Sequence, residues 1–176
     1  MRDDVPCEFP AGYDGAAMLE RLAQVLDPEL DESILDLGFV RSLQLRSGHA
    51  RIALRLPTSW CAVNFAYLMA EDIRNALLSV EGVRRVSVNL GDHCAAAEIE
   101  AAVNDGRSFA EAFPGEAAGS LEALRLTFLR KGFLGRQNGR QPSLHPLAGQ
   151  ACRSRNRRDA VAHSAPSSLR RKDPDK

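Results

Sequence analysis

The sequence predicts an α/β domain of two layers, helices over a small mixed three-stranded sheet, in the order α-β-β-α-β-α. Three observations carry this. Two runs of alternating apolar and polar residues flank Ser47-Gly48, a hairpin signal. A long run of helical periodicity then extends to Val80, and a third alternating run follows directly after Gly82. At 176 residues, with 44% hydrophobic and 26% charged residues, the chain suits one soluble core with appendages.

In order along the chain, Asp14 can cap a first helix whose apolar positions Met18, Leu19, Leu22, Val25 and Leu26 recur at helical spacing, and Pro28 ends it. After an acidic segment comes Ile34-Leu35-Asp36-Leu37-Gly38, leading into a first strand with Phe39, Arg41, Leu43 and Leu45 on one face. Ser47-Gly48 turns the chain into a second strand with Ile52, Leu54 and Leu56 on one face. Pro57 closes that strand, and Thr58 or Ser59 can cap a helix with Ala62, Phe65, Ala66, Met69, Ile73, Ala76, Leu77 and Val80 along one side. The third strand carries Val86, Val88 and Leu90, and Gly91-Asp92 leads to a short Ala-rich helix near Ala95 to Val103, with Asp92 as its simplest cap.

These signals divide the chain into a flexible N-terminus (1–13), the folded domain (14–105), a helical extension (106–137) and a basic tail (138–176) expected to be disordered. In the extension, Ser120 can cap a helix through Leu121, Leu124, Phe128 and Leu129, whose other side carries Arg125, Arg130 and Lys131, followed by Phe133 and Arg136. The tail holds nine Lys or Arg against three Asp, although the whole chain is neutral, so a basic tail follows an acidic body. Such a tail reads first as a solvated end. Without interleaved aromatics, and beside an acidic body, nucleic-acid binding is set aside. The first ten residues include Asp3, Asp4 and Glu8 and lack the apolar stretch of a signal peptide, and no run reaches the ~18 apolar residues of a membrane span. A cytoplasmic protein is expected.

Cys7, Cys61, Cys94 and Cys152 are widely spaced, which indicates neither a disulfide framework nor a zinc finger, and in a reducing compartment all would be free thiols or metal ligands. A helical crossover makes the second and third strands parallel. One sheet edge therefore gathers the acidic loop from Asp27 to Asp36, the Thr58-Ser59-Trp60-Cys61 turn and Asp92-His93-Cys94, the edge where open α/β sheets place ligands. Cys61 falls in the first turn of the long helix, where free N–H groups and the helix dipole favour a thiolate, both nucleophile and soft-metal ligand. Its competing reading is a small buried hydrophobe. His93 and Cys94 offer further ligands for iron, zinc or a cluster, and the bland alternative is a solvated His beside an inward-packed Cys. Asp27, Glu29, Asp31, Glu32 and Asp36 read as a solvated acidic loop before they read as a hard-metal site.

Asp27-Pro28-Glu29-Leu30, Ile34-Leu35-Asp36-Leu37-Gly38-Phe39-Val40, Leu56-Pro57-Thr58-Ser59-Trp60-Cys61 and Gly82-Val83-Arg84-Arg85-Val86-Ser87-Val88 together resemble the SufT/PaaD-type metal-sulfur cluster assembly family, also called the MIP-eighteen family, over residues 15–104. The resemblance implies a non-enzymatic role in maturing iron-sulfur or related iron proteins, with an iron-sulfur cluster or iron as transient cargo. Cys61 matches the family's cysteine and Asp36 its DLG aspartate, with Thr58, Asp92 and Glu29 at the site's margin. It implies a client iron protein or cluster scaffold as partner, and oxygenase components are one such client class. The chain departs from the pattern at Cys61-Ala62, where the family has Cys-Pro, and at Asp92-His93-Cys94, which replaces an aromatic motif.

Two other readings compete with a carrier working through Cys61, helped by Cys94 or His93. One is a metal-free adaptor recruiting an oxygenase or carrier through the helix at 120–137. The other is a cysteine-dependent enzyme with Cys61 as nucleophile and His93 as base, disfavoured because no third residue orients His93. A homodimer through the hairpin's outer strand is also open.

Overall fold

The computed structural model describes residues 5–115, 121, 123–128, 130 and 153–154. The elements are β1 (Pro6–Glu8), α1 (Ala16–Ala23), β2 (Val40–Arg46), β3 (His49–Arg55), α2 (Val63–Leu78), β4 (Arg85–Gly91), α3 (Ala96–Asp105), α4 (Phe109–Ala112) and β5 (Arg153–Ser154). The central hairpin forms as its sequence demands. Ser47 (φ 51°) and Gly48 (φ 77°) both take left-handed backbone, as a two-residue turn between twisted strands requires. It pairs β2 and β3 antiparallel, with Leu43 opposite Ile52 and Arg46 opposite His49. The α2 crossover returns β4 parallel to β3, with Ala50 beside Val86 and Leu54 beside Leu90.

Alternation decides which face is covered. Leu43, Leu45, Ala50, Ile52, Leu54, Val86, Val88 and Leu90 point into the core, while Arg46, Arg51, Arg55, Arg85 and Asn89 face solvent. Met69, Ile73 and Leu77 of α2 are fully buried. Burying each such side chain favours folding by about 2 kcal/mol. Ala66 through Ala70 are all buried because α1 and α3 flank α2 on its other sides. The expected α-β-β-α-β-α order and two-layer architecture are present.

The structure adds to that plan. The sheet order is β4-β3-β2-β1-β5, so three strands undercount it. β1 lies in a segment that reads as a flexible terminus, and it pairs parallel with β2 at Cys7 beside Leu43 and Glu8 beside Gln44. Three residues are too few to show periodicity. β1 also occupies part of the outer strand edge that the sequence offers for a homodimer. Cys7 is buried and disulfide-bonded, which corrects the expectation of four free thiols, whereas Cys61 and Cys94 are free. In β2, a register shift between Val40 and Ser42 places Val40 and Leu43 inward and leaves Arg41 exposed, although simple alternation groups Arg41 with Leu43.

Caps differ as well. Asp14 serves as expected, its carboxylate accepting the Ala16 N–H at 3.0 Å. The N-cap of α2 is Ala62, without a side-chain bond, so neither Thr58 nor Ser59 caps it. The N-cap of α3 is Ala95, so Asp92 is not its cap. Asp92 instead has φ 58° and pairs with Arg55 at 3.2 Å. Beyond α4 the chain is helical again at 121, 123–128 and 130. There Arg125 turns inward, bonding Asp72 at 2.5 and 2.6 Å and Glu71 at 3.0 Å, while Phe128 meets Phe65 edge to face. Ser120, Leu129, Lys131, Phe133, Arg136 and, save for 153–154, the basic tail lie outside the described residues. No helix among the described residues is long and apolar enough to cross a membrane.

Among the described residues, β4 is flanked on its open side by α3 rather than by another strand. Asn104 accepts the Val88 N–H at 2.8 Å and donates to the Val88 carbonyl at 3.0 Å, copying a strand neighbour. Glu100 accepts the Leu90 N–H at 2.7 Å.

Candidate functional site

Because β3 and β4 run parallel, with Arg55 beside Gly91, the loops leaving their C-terminal ends meet. The Cys94 N–H donates to the Ser59 carbonyl at 3.1 Å, locking the two loops together. His93 makes a second tie. Its Nδ1 accepts the Ala95 N–H at 3.1 Å, so that nitrogen carries no proton, and its Nε2 therefore donates to the Cys61 carbonyl at 2.9 Å. The ring is buried and both nitrogens are engaged. His93 is thus not the solvated loop residue that the sequence offers, and its ring faces the backbone of Cys61 and not its thiol. It fixes where Cys61 sits.

Cys61 is half-buried one residue ahead of the α2 N-cap, not within the first helical turn. This changes its chemistry. Burial, above all, pushes the thiol up from its ordinary value, and the Asp27 and Glu29 carboxylates push the same way. The Ala62 N–H opposes them, and Cys94 adds a further upward influence. The expected dipole-stabilised thiolate is not favoured here, because burial and the two nearby carboxylates oppose the charged form, and Cys61 lies ahead of the helix instead of in its first turn. The backbone tie at Ser59 joins the Cys61 and Cys94 loops, and the Asp27 and Glu29 carboxylates of the acidic loop stand near enough to bear on the Cys61 thiol. Cys94 is exposed.

The acidic loop is built around Asp27. Its Oδ1 accepts the N–H groups of Glu29 and Leu30, both at 2.8 Å, and its backbone closes the turn through Glu32 and Asp31. Asp27 is buried and bonded, so it organises the loop and is not solvated. The Asp-Pro pair is a known turn starter and could have signalled this role. Glu29 is exposed at the loop's tip. Asp36 is partly exposed in the turn before β2, where Gly38 takes φ 70°. Thr58 is exposed, and Asp92 is held by Arg55. Among the described residues no group of three or more His, Cys, Asp or Glu is placed to hold a metal ion. Sequence reasoning gave no role to Trp60, which is 82% exposed beside Cys61, nor to Leu30, 54% exposed in the acidic loop.

The arrangement offers two thiols at one loop junction, held in place by backbone ties and a histidine latch, with an open approach. A family model described as iron-sulfur cluster assembly protein matches residues 16–90, from α1 to the end of β4. That stretch includes Cys61 and stops short of His93 and Cys94. The chain is also similar to an iron-sulfur cluster carrier protein of Deinococcus radiodurans, 35% identical over 75 residues, which is 43% of this chain. The match spans about a fifth (21%) of that relative's length. Through residues 16–90, which hold the hairpin, the Cys61 turn and the returning strand, the chain is similar to the iron-sulfur cluster assembly protein family.

Proposed function

We propose that this chain is an iron-sulfur cluster assembly or carrier factor that holds a cluster, or iron on its way to one, transiently through Cys61 and Cys94 and passes it to a client. The observation that supports this reading is the backbone tie, Cys94 N–H to the Ser59 carbonyl at 3.1 Å, that joins two loops each carrying a free thiol, within and just beyond the family-matched stretch. Thiolates are the natural ligands of such cargo. Two of them leave coordination positions for a scaffold or client to fill, which suits delivery better than storage. The raised Cys61 thiol binds only by giving up its proton, so the cargo is held more weakly than a preformed thiolate would hold it. His93 serves as a positioning residue, with both ring nitrogens engaged.

The reading is non-enzymatic and places the work in the cytoplasm. Client iron proteins, oxygenase components among them, or a cluster scaffold are the partners it calls for. The alternatives find less support. Arg125 and Phe128 are spent on Asp72, Glu71 and Phe65, so these parts of the helix proposed for an adaptor face its own domain. A Cys61–His93 catalytic pair lacks its central contact, since His93 bonds the Cys61 carbonyl.

The test is anaerobic reconstitution with iron and sulfide, comparing visible spectra and bound iron for the wild type, Cys61→Ser, Cys94→Ser and His93→Gln. Cluster absorption lost with either cysteine and retained in His93→Gln is the expected pattern. Equal iron in the wild type and Cys61→Ser would end the carrier reading.

A further inference from the structure

Among the described residues, four large hydrophobic side chains stand exposed: Leu26, Leu30, Trp60 and Leu126. Three of them belong to the two loops that flank Cys61. Scattered exposed apolar residues need no explanation, but an indole 82% exposed next to the candidate thiol, and Leu30, 54% exposed next to Glu29, whose carboxylate bears on that thiol, lie on the two loops that come together at Cys61. Folding gains nothing from leaving them in water, and tryptophan is the residue most often found at the energetic centre of protein interfaces. The same rim is acidic. From Leu26 to Leu37 the loop holds Asp27, Glu29, Asp31, Glu32 and Asp36 with no Lys or Arg. The Asp27 and Glu29 carboxylates lie close enough to bear on the Cys61 thiol.

We propose that Trp60, Leu30 and Leu26 form the docking surface for the protein that exchanges cargo with Cys61, and that this partner presents an apolar pocket bordered by Lys and Arg. The inference rests on the carrier reading for the partner's class. Charge complementarity selects a basic partner and disfavours a second copy of this chain, whose matching rim would bring acid against acid.

The experiment places a photoreactive benzophenone amino acid at Thr58, exposed in the same loop, and as a control at Arg51 on the solvent face of the sheet. The full chain is irradiated in cells, and adducts are mapped by mass spectrometry in the wild-type and Trp60→Ala backgrounds. Trp60→Ala leaves the fold intact because so little of the side chain is buried. The expected result is an adduct from position 58 and none from 51, to an iron-sulfur protein or scaffold, through a peptide lining a Lys/Arg-bordered apolar pocket. Trp60→Ala lowers its yield at least about tenfold. An adduct indifferent to Trp60→Ala, an acidic partner surface, a second copy of this chain, or no adduct overturns the proposal. Iron content of the same preparations separates the two ideas. An adduct with no Cys61-dependent iron sinks the cargo reading alone, and Cys61-dependent iron without the adduct sinks the docking surface alone.

Discussion

Replacing His93 with alanine is expected to destabilise the domain by about 2 to 3 kcal/mol, through two lost hydrogen bonds and a small void. The bonds to the Ala95 N–H and the Cys61 carbonyl each contribute about 1 kcal/mol net. Cys61 is half-exposed, so water can partly replace the bond at its carbonyl. The Ala95 N–H is also only partly buried, which keeps the total below that of a fully buried network. Urea unfolding followed by circular dichroism gives the change directly. His93→Gln should retain the donor to Cys61 and lose the acceptor for Ala95, and His93→Asn the reverse, each falling between wild type and alanine. A His93→Ala protein within 0.5 kcal/mol of wild type (~0.5 being the lower bound for one such bond) would refute the latch. Iron binding distinguishes a latch from a ligand. A ligand's loss would lower bound iron in His93→Gln with stability unchanged, whereas the structure predicts lowered stability with iron retained.

Other expectations follow from the same geometry. Arg125→Ala strands the Asp72 and Glu71 carboxylates beside each other, and since the pair is about a third exposed, the cost should be about 1 kcal/mol, visible as faster amide exchange at 123–128. Gly38→Ala meets no atom within 4 Å, yet its φ of 70° strains any side chain, so a loss of about 1 kcal/mol should appear in chemical unfolding. In the metal-free chain, Cys61 should alkylate more slowly than an ordinary thiol at neutral pH. Raising the thiol's pKa leaves less thiolate at a given pH, so the rise in rate with pH is displaced upward; Glu29→Gln should move it back down, as rates of iodoacetamide labelling at several pH values will show.

The fold was legible because the hairpin and crossover are written in two clear periods, two residues in the strands and close to four in α2. Strand order alone then brought Cys61, Cys94 and the acidic loop to one edge. What the sequence hid were features without a period. β1 is three residues long, and the β2 bulge breaks the alternation that makes strands readable. The role of His93 depends on which atoms its two nitrogens meet, and the direction in which the Cys61 thiol is pushed depends on its burial and on the Asp27 and Glu29 carboxylates beside it, none of which has a period. The start of α2 at Val63 was equally out of reach, since propensity does not resolve helix boundaries to a residue or two.

The side chains of Asn104 and Glu100 along β4 also bear on the molecule's exposure to strand-by-strand aggregation. An unpaired strand edge is the usual route by which β proteins grow into fibres, and it works through backbone groups that any chain possesses. Here, at Val88 and Leu90, that generic route is stoppered by an amide and a carboxylate, which a foreign strand would have to dislodge. Association at this part of the molecule is left to side chains, which can be selective where backbone pairing cannot. Asn104→Ala should therefore reveal itself less in the folding equilibrium than in turbidity on prolonged incubation.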